Sequence, residues 1–159
     1  MLKSLNPAGV PQPASSYSQG VEVSGAGRTL FISGQVAVRP DGSPVGGDFA
    51  AQAAQVWANV VGMLKGAGMG VENLVHVNTY LVSTNDIQPA RAERSKVLGN
   101  HRPASTMVIV SALASPDWKI EVEAVAFKAA PAARATVAAR RPATKRAKKA
   151  SKRPSRRRR

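Results

Sequence analysis

The feature that most constrains this chain is where its charges lie. Residues 1 to 127 carry nine lysines and arginines and nine aspartates and glutamates, so that stretch is neutral. The other 14 basic residues all lie from Lys128 onward, with no acid among them. The net charge of +14 is therefore a property of the C-terminal stretch alone. A neutral segment of this length suits one domain with a buried core. A polycationic run of Ala, Pro, Lys and Arg lacks the apolar residues to form one and reads as a disordered tail. The chain thus divides into a globular body, 1–127, and a basic tail, 128–159.

Composition removes several classes of chemistry. With no cysteine, disulfide and thiolate chemistry are both absent. The N-terminal MLKSLNPAGVPQP has no apolar run of the kind a signal peptide needs, and no stretch approaches the roughly 20 apolar residues of a membrane span. The cytoplasm is the default address. His76 and His101 stand without a G-x-S-x-G elbow, no cluster has metal-ligand spacing, and Ser24-Gly25-Ala26-Gly27 lacks the Gly-Lys-Ser/Thr of a phosphate loop.

Periodicity gives an α+β body. Gly20–Ser24 and Arg28–Ser33 read as strands joined in a hairpin at Ser24–Gly27. A helix is predicted from Asp48, a good N-cap, to about Lys65, with Ala53, Trp57, Val60, Val61 and Leu64 on one stripe, ended by Gly66, Gly68 and Gly70. Leu74–Val82 is a strand with apolar residues on both faces. Pro89 fits the first turn of a second helix ending near Gly99, with Arg91, Arg94 and Ser95 toward its exposed or functional side. Ser105–Ala112 and Trp118–Lys128 complete the strands. Two helices can cover only one face of a sheet of five or six strands, so the other face is expected to meet another subunit.

Four segments then stand in a recognisable order: Tyr17-Ser18-Gln19-Gly20, Phe31-Ile32-Ser33-Gly34-Gln35, Pro103-Ala104-Ser105-Thr106, and Ile120-Glu121-Val122-Glu123-Ala124-Val125-Ala126. Together they resemble the RidA/YjgF (Rid) family over residues 5 to 127. The resemblance implies a chorismate-mutase-like α+β fold, a mixed β-sheet with two helices on one face, assembled as a homotrimer with a small-molecule cleft at each subunit interface. It also implies hydrolysis of reactive imines and enamines to 2-keto acids and ammonia, with no metal or organic cofactor.

The same resemblance assigns candidate site residues. Glu121 matches the position that hydrogen-bonds the attacking water, as general base or water orienter, whereas Glu123 reads as structural. Ser33 and Gly34 match a segment where ligand oxygens approach the backbone; from the residues alone they read equally as a β-bulge. Tyr17 matches a residue reaching a neighbouring subunit's cleft, and by itself reads as packing. Ser105 stands where the deaminases carry an arginine that grips the substrate carboxylate in a bidentate pair. A hydroxyl in exchange forfeits on the order of 2 to 4 kcal/mol of binding and orientation. Arg91 and Arg102 are the candidate replacements, each also readable as a solvated surface arginine. Ser105 and Thr106 remain neutral donors for a ligand.

In the tail, Arg140, Arg141, Lys145, Arg146, Lys148, Lys149, Lys152, Arg153, Arg156, Arg157, Arg158 and Arg159 form a polycation. Such a segment binds nucleic-acid phosphate, or another polyanion, through counterion release and with little sequence preference. No aromatics are interleaved for base stacking. The expected partners are therefore a second and third copy of the chain, a small molecule, and a nucleic acid, which adds the nucleoid as an address.

Overall fold

A computed structural model describes residues 1–131. Its main sheet has four strands in the order β3-β6-β4-β5: β3 (Gly27–Gln35), β4 (Leu74–Leu81), β5 (Ala104–Ile109) and β6 (Ile120–Ala129). A separate antiparallel ribbon joins β1 (Leu2–Leu5) to β2 (Gly20–Val23). Helices α1 (Phe49–Gly66) and α2 (Ile87–Leu98) pack on one face of the main sheet. The fold is α+β with a mixed sheet, as the sequence implies. β4, α2 and β5 form a crossover unit with parallel strands, and β6 lies antiparallel to both of its neighbours.

The core follows from two periodicities. Along β6 alternate residues Ile120, Val122, Ala124 and Ala126 are buried, facing the helices. From α1, Phe49, Ala53, Val56, Trp57, Val60 and Leu64 meet them at helical spacing. Asp48 caps α1 by accepting from Ala51 N at 2.8 Å. At its far end Gly68 takes φ +67°, which lets Met69 N reach Leu64 O at 2.8 Å and Gly68 N reach Lys65 O at 2.9 Å. That pair of bonds is a Schellman stop, with Met69 folded back into the core.

Two expectations fail. Gly20–Ser24 does not form a hairpin with Arg28–Ser33: β2 pairs instead with β1, in the N-terminal lead, where no strand was expected. The reason lies at Gly27, where Phe127 and Lys128 O leave no room for a Cβ. The close approach starts β3 on β6 at once, with Gly27 opposite Ala129, so the turn at 24–27 bends the chain between two sheets. The main sheet consequently has four strands, not five or six. β6 also runs to Ala129, and Ala130 N donates to Ala26 O, so the folded backbone passes the 127 boundary drawn from charge. The tail expectations lie outside the described residues.

One buried polar residue locks the last connection. Gln52 on α1 donates from Nε2 to Asp117 O at 2.8 Å and accepts at Oε1 from Lys119 N at 2.9 Å. Gln52→Leu leaves both backbone groups unpaired and is expected to cost about 1–3 kcal/mol, read as a lower urea midpoint with unchanged m. A midpoint equal to the parent's would show that water replaces both bonds.

Candidate functional site

The N-terminal lead builds one wall of a cationic pocket. Ser18 bridges to Ala104 at the free edge of β5, its N–H donating to Pro103 O at 3.1 Å and its hydroxyl to Arg102 O at 2.6 Å. That docking carries Ser15 and Tyr17 against the end of α2. There Tyr17, Arg91 and Ser105, all expected from the sequence, line a pocket of about 180 Å³ together with Ser15, Arg94 and Met107.

Arg94, grouped from the sequence with Arg91 and Ser95 on the exposed or functional side of α2, was not singled out as a site residue. It is 4 % exposed, on the stripe it shares with buried Ala90 and Leu98. Its Nη1 donates to Ser105 Oγ at 2.9 Å and its Nη2 to Ser15 Oγ at 3.3 Å. Burial first, then the nearby charges of Arg91 and Arg102, lower its pKa from the ordinary arginine value. A guanidinium nevertheless stays protonated in proteins. The signal available in the sequence was the spacing Ala90, Arg94, Leu98, which places an arginine on an apolar stripe.

Arg102 is occupied elsewhere: its Nη1 donates to Gly99 O at 2.6 Å and to His101 O at 2.9 Å, closing the end of α2. His101 is likewise structural, its Nε2 lying 2.7 Å from Leu74 O. Thr106 alternates with Ser105 and so faces the opposite side of the sheet, in register with Asn78.

That opposite face carries the carboxylates. Ile32 pairs with Ala124 and Gln35 with Val122, so Ser33 and Gly34 together oppose the single residue Glu123, a β-bulge. Ser33 lines a pocket of about 270 Å³ with Phe31, His76 and Glu123. Gly34 is required where it stands, since a Cβ there would collide with Glu121 Oε1. Glu121 lies across that glycine, half-buried, and no described residue donates a hydrogen bond to it. Glu123 by contrast accepts at Oε1 from Asn78 Nδ2 at 2.7 Å and from the Tyr80 hydroxyl at 3.0 Å. Those bonds, the Asn78 one foremost, hold its carboxyl below the usual glutamate range, and the bond that Tyr80 donates to Glu123 raises the Tyr80 phenol. Asn78 and Tyr80 were not singled out in the sequence; their signal is that they alternate with the buried residues of β4.

The structure thus brings Tyr17, Arg91 and Ser105 together on the helix face and Ser33, Gly34 and Glu121 together on the bare face. It does not join the two groups within one chain. Among the described residues no group of three or more His, Asp or Glu side chains comes together to hold a metal ion. The basic residues from Arg140 to Arg159 lie outside the described residues.

Fold and site define a small α+β protein with a cationic pocket on one face of its sheet and carboxylates on the other. The chain belongs to the Rid family: the model of the family described as endoribonuclease L-PSP matches residues 8–128. It is 36% identical over 119 residues to a RutC family protein of Pyrococcus horikoshii, covering 74% of this chain and 91% of that one. It is 32% identical over 131 residues to a 2-iminobutanoate/2-iminopropanoate deaminase of Escherichia coli, covering 80% and 99%. A Rid family protein of unknown function from Yersinia pestis superposes with a TM-score of 0.71 at 36% identity, over 79% of this chain and 97% of that one.

The Glu123 network sets a pH dependence. The folded state keeps Glu123 ionised to lower pH than the unfolded chain does. Its contribution to stability is complete above the ordinary glutamate range and is lost as pH falls through the depressed folded value. Replacing Asn78 by Ala and Tyr80 by Phe together is expected to raise the Glu123 midpoint toward the ordinary value in a carboxyl NMR titration. An unchanged midpoint would remove these bonds as its cause.

Proposed function

We propose that this chain works as a homotrimer that hydrolyses small imines or enamines to 2-keto acids and ammonia, in clefts shared between subunits. The observation that carries this reading is the contrast between the two carboxylates. Glu123 is held by two neutral donors, whereas Glu121 lies unengaged over Gly34, as a water-orienting group must.

The chemistry asks little of the protein. A protonated imine carbon is already electrophilic, so a positioned water supplies most of the acceleration. Glu121 accepts a proton as the water oxygen bonds to the imine carbon, giving a carbinolamine. The proton then passes to nitrogen, the carbinolamine hydroxyl gives its own proton to Glu121 and on to solvent as the C–N bond breaks, and ammonia and the 2-keto acid leave. The deaminase name of the Escherichia coli relative supports this substrate class.

The placement of Glu121 and Ser105 on opposite faces supports a cleft built from two chains, because neither face alone holds both groups. Phe31, 76 % exposed, and Val108 leave apolar surface on the bare face that a second copy would cover.

With iminopyruvate generated in situ, ammonia release is expected to exceed the buffer rate and to fall on the order of 100-fold in Glu121→Gln, in a species whose light-scattering mass is three chains. Rates equal to buffer, or a folded Glu121→Gln that keeps full activity, would overturn the deaminase reading.

A second role is proposed for the tail, on the segregation of 14 basic residues beyond a neutral body. Through Arg140 to Arg159 it binds nucleic acid, which would place the protein at the nucleoid in the cytoplasm. The full chain is expected to retard DNA or RNA in gels at low salt and to release it as salt rises, while a chain ending at Pro131 does neither. Equal retardation by both would place the binding site in the body.

A further inference from the structure

Two buried polar atoms among the described residues lack a hydrogen-bond partner, Thr79 Oγ1 and Arg94 Nε. The threonine is neutral. Arg94 is charged, almost wholly buried and paired with no carboxylate: the ion pair among the described residues is Lys96–Glu93, on the surface of α2. A buried charge with no counter-ion is a costly group to keep in a fold. Its field is not relieved by its neighbours, since Arg91 and Arg102 add positive charge and Ser15 and Ser105 are neutral.

The geometry says what is missing. Ser105 Oγ accepts from Arg94 Nη1, so its own proton turns away from the guanidinium and is free for an occupant of the pocket both residues line. The Arg94 Nη hydrogens not taken by serines are further donors. A pocket of about 180 Å³ lined by the arginines Arg91 and Arg94, two serines and a tyrosine, and by no acid, fits a small anion. The planar guanidinium matches the two coplanar oxygens of a carboxylate. The cradle of successive backbone N–H groups that phosphate sites use is not what lines it.

We propose that Arg94, reaching in from α2 and positioned by Ser105 and Ser15, binds the carboxylate of the ligand in place of an arginine at position 105, with the Ser105 hydroxyl as second donor. The identification of that ligand as a 2-imino or 2-oxo acid rests on the deaminase reading above; the carboxylate site does not. The serine at 105 is then the partner that holds a relocated clamp, and Arg94 selects acids over uncharged imines.

The full-length protein is titrated with pyruvate and with pyruvamide, its uncharged counterpart, by calorimetry. Pyruvate is expected to bind, and Arg94→Gln to weaken it about 10- to 100-fold while leaving pyruvamide unchanged. Lys96→Gln, which removes the same charge from the same helix outside the pocket, leaves both unchanged. Because Arg94→Gln disturbs a buried position, Ser105→Ala is the second variant, with pyruvate expected about tenfold weaker at an unaltered melting temperature. Full pyruvate affinity in folded Arg94→Gln or Ser105→Ala overturns the proposal, as does equal loss of both probes, no pyruvate binding at all, or tighter binding of inorganic phosphate. If pyruvate binds through Arg94 but imine hydrolysis is absent, the carboxylate site stands and the deaminase reading falls. If hydrolysis is present and Arg94→Gln leaves its KM unchanged, the deaminase reading stands and this assignment falls.

Discussion

The burial of one side of β6 is the constraint on which the rest of the molecule depends. Ile120, Val122, Ala124 and Ala126 face the helices, and each larger side chain among them is worth about 1.5–3 kcal/mol when removed from water. β6 has paired strands on both edges, so this burial fixes the register of β3 and β4 as well. A slip of one residue would drive Glu121 and Glu123 into the core and expose four apolar residues. The position of the carboxylates is thus set by packing, and the bulge at Ser33-Gly34 adjusts β3 locally so that Glu121 can pass over a glycine.

The same sheet keeps opposite charges apart. Arg94 lies on the helix face among hydroxyls, while Glu121 and Glu123 lie on the bare face, Glu123 supported by an amide and a phenol. Neither sign neutralises the other within a chain. Charges held by neutral dipoles keep their pull on a ligand, whereas a salt bridge spends it internally. A single chain therefore displays arginines on one face of its sheet and carboxylates on the other.

The sequence made the long elements legible because each repeats its pattern over eight or more residues. The stripe on α1, the alternation on β4 and β6, and the Asp48 cap all stand where spacing puts them. The β1–β2 ribbon was illegible because four-residue strands carry too few alternations, and because the decisive clash at Gly27 involves Phe127, 100 residues away. At the site, the segments around Tyr17, Ser105 and Glu121 were readable as motifs. The difference in hydrogen bonding between Glu121 and Glu123 was not readable from alternation, which gives them the same face; it comes from Asn78 and Tyr80 on the neighbouring strand.

Arg94 shows why one such residue escapes. Arginines are exposed so regularly that a helical position occupied by one is assigned to solvent by default. The stripe Ala90, Arg94, Leu98 overrides that default only if something polar waits beneath it, and what waits is Ser105, a residue that looks like a loss when considered alone. Each of the two residues explains the other. An arginine at 105 would crowd its charge against Arg94 in a pocket of about 180 Å³, whereas a serine there accepts from the helix arginine and adds no charge to those of Arg91 and Arg94. The charge of the pocket comes from the helix and not from the strand, so under this assignment a ligand would meet the cation from α2.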